Sequence, residues 1–185
     1  MDKSELRKCI LNKRNSMTEN ELFEKSSIIF QKLTKIREYC ELPVLLCYAS
    51  YNNEVMTEKI IEDGINRGKR VALPRVEGRN MDFFYIKTLN DLKPGYMSIP
   101  EPVTYEKVSR KDAEQAFMVI PGTSFDRHFN RNGYGGGFYD RYIEKNPPKC
   151  IAGIAFEYQI FDEIPTEEHD KKVDYIVSEV DVYGK

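Results

Sequence analysis

Short apolar runs alternating with helical repeats leave this chain few architectures. Pro43 opens a run from Val44 to Ala49 that reads as a buried strand. Further strand candidates stand at Val71–Leu73, Met81–Ile86, Phe117–Ile120, Ile151–Phe156 and Tyr175–Val177. A helical pattern through Leu22, Ile29, Leu33 and Ile36 precedes the first strand, and Thr18 with Glu21 forms its capping box. A second helix through Val55, Ile61 and Ile65 ends at Gly68. Strands that alternate with helices predict an α/β fold of three layers, an open and mostly parallel sheet with helices on both faces. Met81–Ile86 follows close on its predecessor, so one hairpin is expected there and the sheet is then mixed. With 185 residues, 41% hydrophobic and 31% charged, the chain can bury a full core without staples and is read as one domain over 1–185.

Charge and cysteine usage exclude several classes. A formal net charge of −2 gives no global attraction to nucleic acid or an anionic membrane, so any anion site must be a local arrangement. No apolar run approaches the ~18 residues of a membrane span, and Met1-Asp2-Lys3-Ser4-Glu5 is too charged to lead a signal peptide. A cytoplasmic, monomeric protein is expected. Cys9, Cys40, Cys47 and Cys150 form no C-x-x-C pair and read as reduced, mostly buried thiols. With only His128 and His169 available, a Cys/His zinc site is not expected.

The chemistry concentrates near position 135. Four of the five residues from Gly133 to Gly137 are glycine, followed by Phe138-Tyr139-Asp140-Arg141. Each glycine inside regular structure costs about 0.5–1 kcal/mol relative to alanine, more than a plain connection needs. The run makes sense where backbone N–H groups must come close to an anion. It is not a Walker loop, for no Lys-Ser or Lys-Thr follows, and G-x-G-x-x-G fails at Phe138. What remains is a glycine turn into a helix near Phe138 to Lys145, whose positive end faces the loop. Asp140, in its first turn, is either a dipole-favoured acid or a magnesium ligand.

Other unusual residues follow strand ends, where ligands of open α/β sheets bind. They are Tyr48-Ala49-Ser50 with Glu54, Pro74-Arg75, Pro121-Gly122, and Phe156-Glu157-Tyr158-Gln159. In the first helix, Lys3, Arg7 and Arg14 fall within roughly 40° of one another at about 100° per residue, flanked by Ile10 and Leu11. Such a stripe either snorkels over the core or presents charge to a phosphate. No serine or cysteine occupies a nucleophile elbow, whereas phosphoryl transfer, which needs positioning and charge stabilisation, suits this inventory.

The segment Pro121-Gly122-Thr123-Ser124-Phe125-Asp126, continued through Arg131 and Gly133 to Asp140-Arg141, resembles the signature of the 5-formyltetrahydrofolate cyclo-ligase (methenyltetrahydrofolate synthetase) family. Ordered matches extend along the chain: Lys3-Ser4-Glu5-Leu6-Arg7, Glu54-Val55-Met56-Thr57, Leu73-Pro74-Arg75, Ile99-Pro100-Glu101-Pro102, Phe156-Glu157-Tyr158-Gln159 and His169-Asp170-Lys171-Lys172-Val173-Asp174. The resemblance implies an ATP- and magnesium-dependent conversion of 5-formyltetrahydrofolate to 5,10-methenyltetrahydrofolate, with release of ADP and phosphate. In that chemistry the formyl oxygen, a poor leaving group, is phosphorylated before N10 attacks the activated carbon.

Carried over by position, the resemblance puts Lys3, Ser4, Glu5, Leu6 and Arg7 on ATP, together with Arg131, Asn132, Gly133, Tyr134, Gly135, Gly136, Gly137, Phe138 and Tyr139. It puts Arg7, Ala49, Glu54 and the stretch Tyr134 to Phe138 on the folate, and Asp140 and Asp174 on magnesium. Glu54, Arg7 and Tyr139 are the catalytic candidates. Two positions depart from the family: Phe129 stands where the Asp-x-x-Gly turn has glycine, and Asn132 where an apolar residue precedes the first loop glycine. Phe129 is expected to alter the turn, because phenylalanine tolerates positive φ poorly. Competing readings are a phosphosugar isomerase or acyl-CoA transferase on a related sheet, and a non-catalytic folate or nucleotide binder.

Overall fold

The computed structural model describes residues 2–184. Helices α1 (Lys3–Asn15), α2 (Glu19–Leu33) and α3 (Arg37–Glu41) lead into β1 (Val44–Leu46), followed by α4 (Glu58–Asn66), β2 (Arg70–Glu77) and β3 (Asn80–Ile86). A small hairpin of β4 (Leu92–Pro94) and β5 (Pro100–Pro102) and the short α5 (Arg110–Ala113) precede β6 (Ala116–Ile120). After β7 (Ser124–Asp126), β8 (Arg131–Asn132) and α6 (Phe138–Lys145) come β9 (Cys150–Ile154), β10 (Ile160–Phe161), β11 (Tyr175–Val177) and β12 (Val182–Gly184).

The main sheet has seven strands in the order β12-β11-β9-β6-β1-β2-β3. The inner strands β11, β9, β6, β1 and β2 are parallel, and β3 and β12 join antiparallel at the two edges. Alternate residues divide between two cores, as the pleat requires. Leu45, Val71, Leu73, Phe117 and Val119 pack against Ile29, Leu33, Tyr39, Ile60 and Ile61 of α2, α3 and α4. Val44, Leu46, Ala72, Met118 and Ile120 face Phe125, Tyr142 and Ile143 of β7 and α6. The α/β reading with helices on both faces holds. So does the hairpin, with β2 and β3 paired from Val71↔Ile86 to Glu77↔Asn80. The outer edge of β3 is itself occupied: Tyr85 N–H donates to Glu106 O at 2.8 Å, and Val108 N–H to Phe83 O at 2.9 Å.

Element ends depart from the sequence reading for local reasons. The capping box of α2 is present, but the helix ends at Leu33, and Ile36 turns extended (φ −66°, ψ 131°) as the N-cap of α3 while staying buried. Val55 is buried but precedes α4, where its carbonyl accepts from Tyr48 Oη at 3.0 Å. The apolar run after β1 continues as buried loop at Cys47 and Tyr48. Pro74 and Arg75 lie inside β2 instead of beyond it, and the Arg75 guanidinium lies 3.7 Å from the Phe84 ring centroid. The thiols divide evenly, Cys47 and Cys150 buried and Cys9 and Cys40 exposed, because Cys9 and Cys40 fall on outward positions of α1 and α3.

One glycine sets how closely β9 meets the layer beneath it. A Cβ on Gly153 would stand 2.9 Å from Phe125 Cζ, against a fully buried ring. Gly153→Ala is therefore expected to destabilise the protein by about 1–3 kcal/mol, the usual cost of overpacking a tight core. Urea unfolding of the variant measures this, with Gly153→Ala/Phe125→Leu expected to recover part of the loss. Wild-type stability in the single variant would refute the contact.

Candidate active site

The parallel strands bring their carboxyl ends to one rim. There β1 releases Tyr48, Ala49 and Ser50 and then Glu54, β6 releases Pro121 and Gly122, and β9 leads to the 3₁₀ turn Glu157–Gln159. Gln159 closes this floor: its Nε2 donates to the carbonyls of Gly122 at 3.0 Å and Thr123 at 3.1 Å.

The glycine loop is held at its entrance by β7 and β8. Thr123 N–H donates to Asn132 O at 2.8 Å, and buried Asn132 donates from Nδ2 to Ser124 Oγ at 3.3 Å. The preceding turn keeps the backbone form a glycine would take, although the residue is Phe129, with φ +65°. The buried Asp126 carboxylate fixes it, accepting from the N–H groups of His128 and Asn130 at 2.9 Å and of Ile164 at 3.2 Å. These bonds hold a conformation that disfavours a Cβ by about 1–2 kcal/mol, and the Phe129 side chain packs against the core of Phe125, Tyr142 and Ile143. Beyond it, Gly135 has φ +99° and Gly137 has φ +63°. Gly137 is the N-cap of α6 and brings no side chain, so the N–H groups of the first turn are left for a ligand.

Arg131 joins the two ends of this loop. Its Nη2 donates to both carboxylate oxygens of Asp140 at 2.9 Å, and Nη1 to Pro121 O at 3.3 Å. The Asp140 carboxylate also accepts from Lys171 N–H at 3.1 Å. Asp174 lies at the amino-terminal end of β11, where its N–H donates to Ile151 O at 2.8 Å and its carboxylate accepts from Ile151 N–H at 2.9 Å. Asp140 thus stands beside the glycine loop and Asp174 at the opposite end of the parallel strands. As hard oxygen donors both suit magnesium, and a carboxylate with spare lone pairs can keep Arg131 while binding a cation.

Two residues of the basic stripe of α1, Arg7 and Arg14, meet the glycine loop, while Lys3 pairs with Glu167 and Asp170. Arg7 Nε donates to Gly133 O at 3.1 Å, and its guanidinium comes within 3.5 Å of where a Gly135 Cβ would stand. Lys3 Nζ lies 2.7 Å from Asp170 and 3.3 Å from Glu167. Burial pushes the Asp170 carboxyl up, but Lys3 and the Glu167 N–H together hold it below its ordinary value. Among the described residues, Glu167, His169 and Asp170 gather potential metal-ligand atoms within 4.8 Å of one another, with the Lys3 ammonium already on two of the carboxylates. The N–H groups of Ser4 and Glu5 are taken by Asp2 in a capping box, and Leu6 turns into a buried cluster with Ile10 and Ile164.

Arg14 ends the stripe 3% exposed, on the far side of the same rim. Its Nη1 donates to Tyr134 Oη, which donates in turn to Glu54 Oε1, and Arg14 Nη1 is 3.8 Å from that oxygen. Tyr51 N–H donates to the other Glu54 oxygen at 3.0 Å. Burial pushes the Glu54 carboxyl above the usual glutamate range, opposed by the Tyr134 hydrogen bond, the Arg14 charge and the Tyr51 N–H. The Tyr134 ring is 42% exposed while its hydroxyl points inward, and burial raises the Tyr134 and Tyr139 phenols well above their ordinary values. Both therefore stay protonated at neutral pH. Ala49 lines a separate hollow of about 290 Å³ with Ser50, Thr57, Leu92 and Lys93.

The sequence singled out Arg14 only as part of the stripe and Gln159 only as part of a motif, and assigned neither to the site. Its position on the shared face of Lys3 and Arg7 was the available signal for Arg14. For Gln159, that signal was its place after a strand end.

Comparison with known proteins identifies the family and the fold. The profile of the 5-formyltetrahydrofolate cyclo-ligase family matches residues 1–179. A mouse 5-formyltetrahydrofolate cyclo-ligase is 29% identical over 189 residues, covering 94% of this chain and 92% of its own length. An Escherichia coli K12 protein of the same name is 29% identical over 143 residues, 71% of this chain and 75% of its own. The solution structure of Aquifex aeolicus 5,10-methenyltetrahydrofolate synthetase superimposes with a TM-score of 0.88 at 30% identity, over 100% of this chain and 93% of that one. The Mycoplasma pneumoniae 5,10-methenyltetrahydrofolate synthetase shares the fold, with a TM-score of 0.77 at 22% identity over 97% and 99% of the two chains. By sequence along nearly its whole length, and by fold, this chain belongs to the 5-formyltetrahydrofolate cyclo-ligase family.

Proposed function

We propose that the protein is an ATP- and magnesium-dependent cyclo-ligase that closes 5-formyltetrahydrofolate to 5,10-methenyltetrahydrofolate, releasing ADP and phosphate, and that it acts as one domain and a monomer in the cytoplasm. The observation that carries this reading is the family match over residues 1–179 in a chain whose glycine loop, basic helix and partly buried Glu54 meet at one rim. Among the described residues no helix is long and apolar enough to cross a membrane.

In this reading the residues divide the work by their chemistry. Backbone N–H groups of Gly135 to Tyr139 and the positive end of α6 receive the phosphates, with Lys3 and Arg7 adding charge. Arg7 also orients the reacting groups, being bound through Nε to the loop it serves. Arg131 and Asn132 hold the loop entrance. Magnesium would supply charge neutralisation at the phosphates, held by Asp140 beside the loop, whereas Asp174, the second acid the family pattern offers, stands at the opposite end of the strands and would not reach the same ion. Tyr139, protonated, donates a hydrogen bond to developing negative charge and cannot act as a base. Glu54, ionised, accepts from the folate's pterin end and the aromatic rings at Tyr134 and Phe138 flank the flat ligand, while Ala49, in the neighbouring hollow, meets only a part of the folate that extends beyond Glu54.

Mixing protein, ATP, magnesium and 5-formyltetrahydrofolate is expected to produce the near-ultraviolet absorbance of the methenyl product, and no ATP-dependent rise would refute the assignment. Asp140→Ala would leave the buried Arg131 charge unpaired, which costs about 3–5 kcal/mol, so the informative variant is Asp140→Asn. It is expected to fold, by circular dichroism, and to lose magnesium-dependent turnover; full activity would make the acid purely structural. Arg7→Ala is expected to raise the KM for ATP by about tenfold, the loss of one charged hydrogen bond, and an unchanged KM removes α1 from the nucleotide site. Because the Glu54 pKa is raised, kcat/KM is expected to fall as pH drops through an inflection above the ordinary glutamate value of about 4.3. An inflection at or below that value would show that Glu54 is not the titrating acid.

A further inference from the structure

The crevice bounded by Arg14, Glu54, Tyr134 and Gln159 is almost full, with about 10 Å³ of free volume. One water needs roughly that much space or more. Arg14 Nε nevertheless lies buried there without a hydrogen-bond partner among the described residues. A buried unsatisfied donor is destabilising by about 1–3 kcal/mol, and more when charged, so its retention calls for an acceptor that arrives later. Tyr134 Oη meanwhile lies between Arg14 and Glu54, accepting from the guanidinium and donating to the carboxylate. Any ligand that displaces it must offer an acceptor to Arg14 beside a donor to Glu54.

The lactam edge of a pterin has that order: the C4 carbonyl accepts, and N3–H and the 2-amino group donate. We propose that Arg14 and Glu54 together read this edge of the folate, and that Tyr134, which bonds both in this structure, swings out as the pterin enters. Arg14 thereby becomes a specificity-determining residue for substrates with a carbonyl at C4. The inference rests on the cyclo-ligase reading for the identity of the ligand. Tyr134 is free to move because the residue is 42% exposed and Gly133 and Gly135 flank it, with Gly135 at φ +99°. Arg14 and Glu54 stay behind on rigid supports, Arg14 in a 13-residue helix and Glu54 on the Tyr51 N–H.

The test compares 5-formyltetrahydrofolate with its 4-amino counterpart, which presents a donor in place of the carbonyl. The wild type is expected to prefer the 4-oxo compound by about 100-fold or more in kcat/KM, because a site built to donate a hydrogen bond rejects a partner that cannot accept it. Arg14→Gln is expected to collapse that ratio toward unity, and Arg14→Lys to restore part of it. A general structural defect would lower both substrates equally and leave the ratio intact, and that result overturns the proposal. Tyr134→Phe provides a second variant with Arg14 in place. It is expected to bind 5-formyltetrahydrofolate more tightly by calorimetry, since no Oη bonds must be broken; an unchanged or weaker Kd removes the displacement step and overturns the proposal as stated. If the wild type binds folate without turnover, the cyclo-ligase reading fails, and the ratio of Kd values for the two compounds still decides the role of Arg14.

Discussion

The ion pair of Arg131 with Asp140 is the contact on which the site depends. The Arg131 side chain is 2% exposed and that of Asp140 14%, so neither charge has water to fall back on. Together they close the glycine loop at both ends, fixing where β8 stops and where α6 starts. Arg131 Nη1 reaches Pro121, just beyond the end of β6. Through Lys171 N–H, the same carboxylate anchors the segment leading to β11. A loop with so much backbone freedom keeps one shape because its ends are clamped electrostatically and its middle is pinned by Arg7.

The hydrophobic pattern made the architecture readable. Phe117–Ile120 and Tyr175–Val177 are apolar throughout because both faces of an inner strand are covered, and such runs have no other stable location in a water-soluble fold. The start of α6 was equally legible, because glycines followed by an aromatic helix leave few alternatives. What escaped was structure made of few residues and tertiary contacts. The edge strand β12 has three residues and only one strongly apolar side chain, and the β7-β8-β10 sheet is built from pieces of two or three residues. Propensity is a weak guide at that length. Arg75 was misplaced because a strand end was drawn where apolarity faded, whereas the hairpin partner carried the strand on to Glu77.

The site was legible as residue types and not as pairings. Glu54, Tyr134 and Arg14 stand 80 and 120 residues apart in their two hydrogen bonds, and nothing local links them. Phe129 shows the opposite limit. The family resemblance puts glycine at its position and so implied an altered turn, yet the structure keeps the glycine-like form, because buried Asp126 organises the turn. The carboxylate determines the loop's shape, and the residue at the strained position adapts to it.

The segment along β3 also bears on how copies of this chain meet. An edge strand of seven residues with open N–H and C=O groups is a template on which another polypeptide can add. Here Glu106 and Val108 already satisfy backbone groups of Tyr85 and Phe83, and the Phe84↔Lys107 bridge lies between them. At the other edge, β12 offers only three residues. Crowded or overexpressed copies therefore find little purchase for strand-to-strand growth along β3, and what covers that edge is a loop that takes no part in the proposed chemistry.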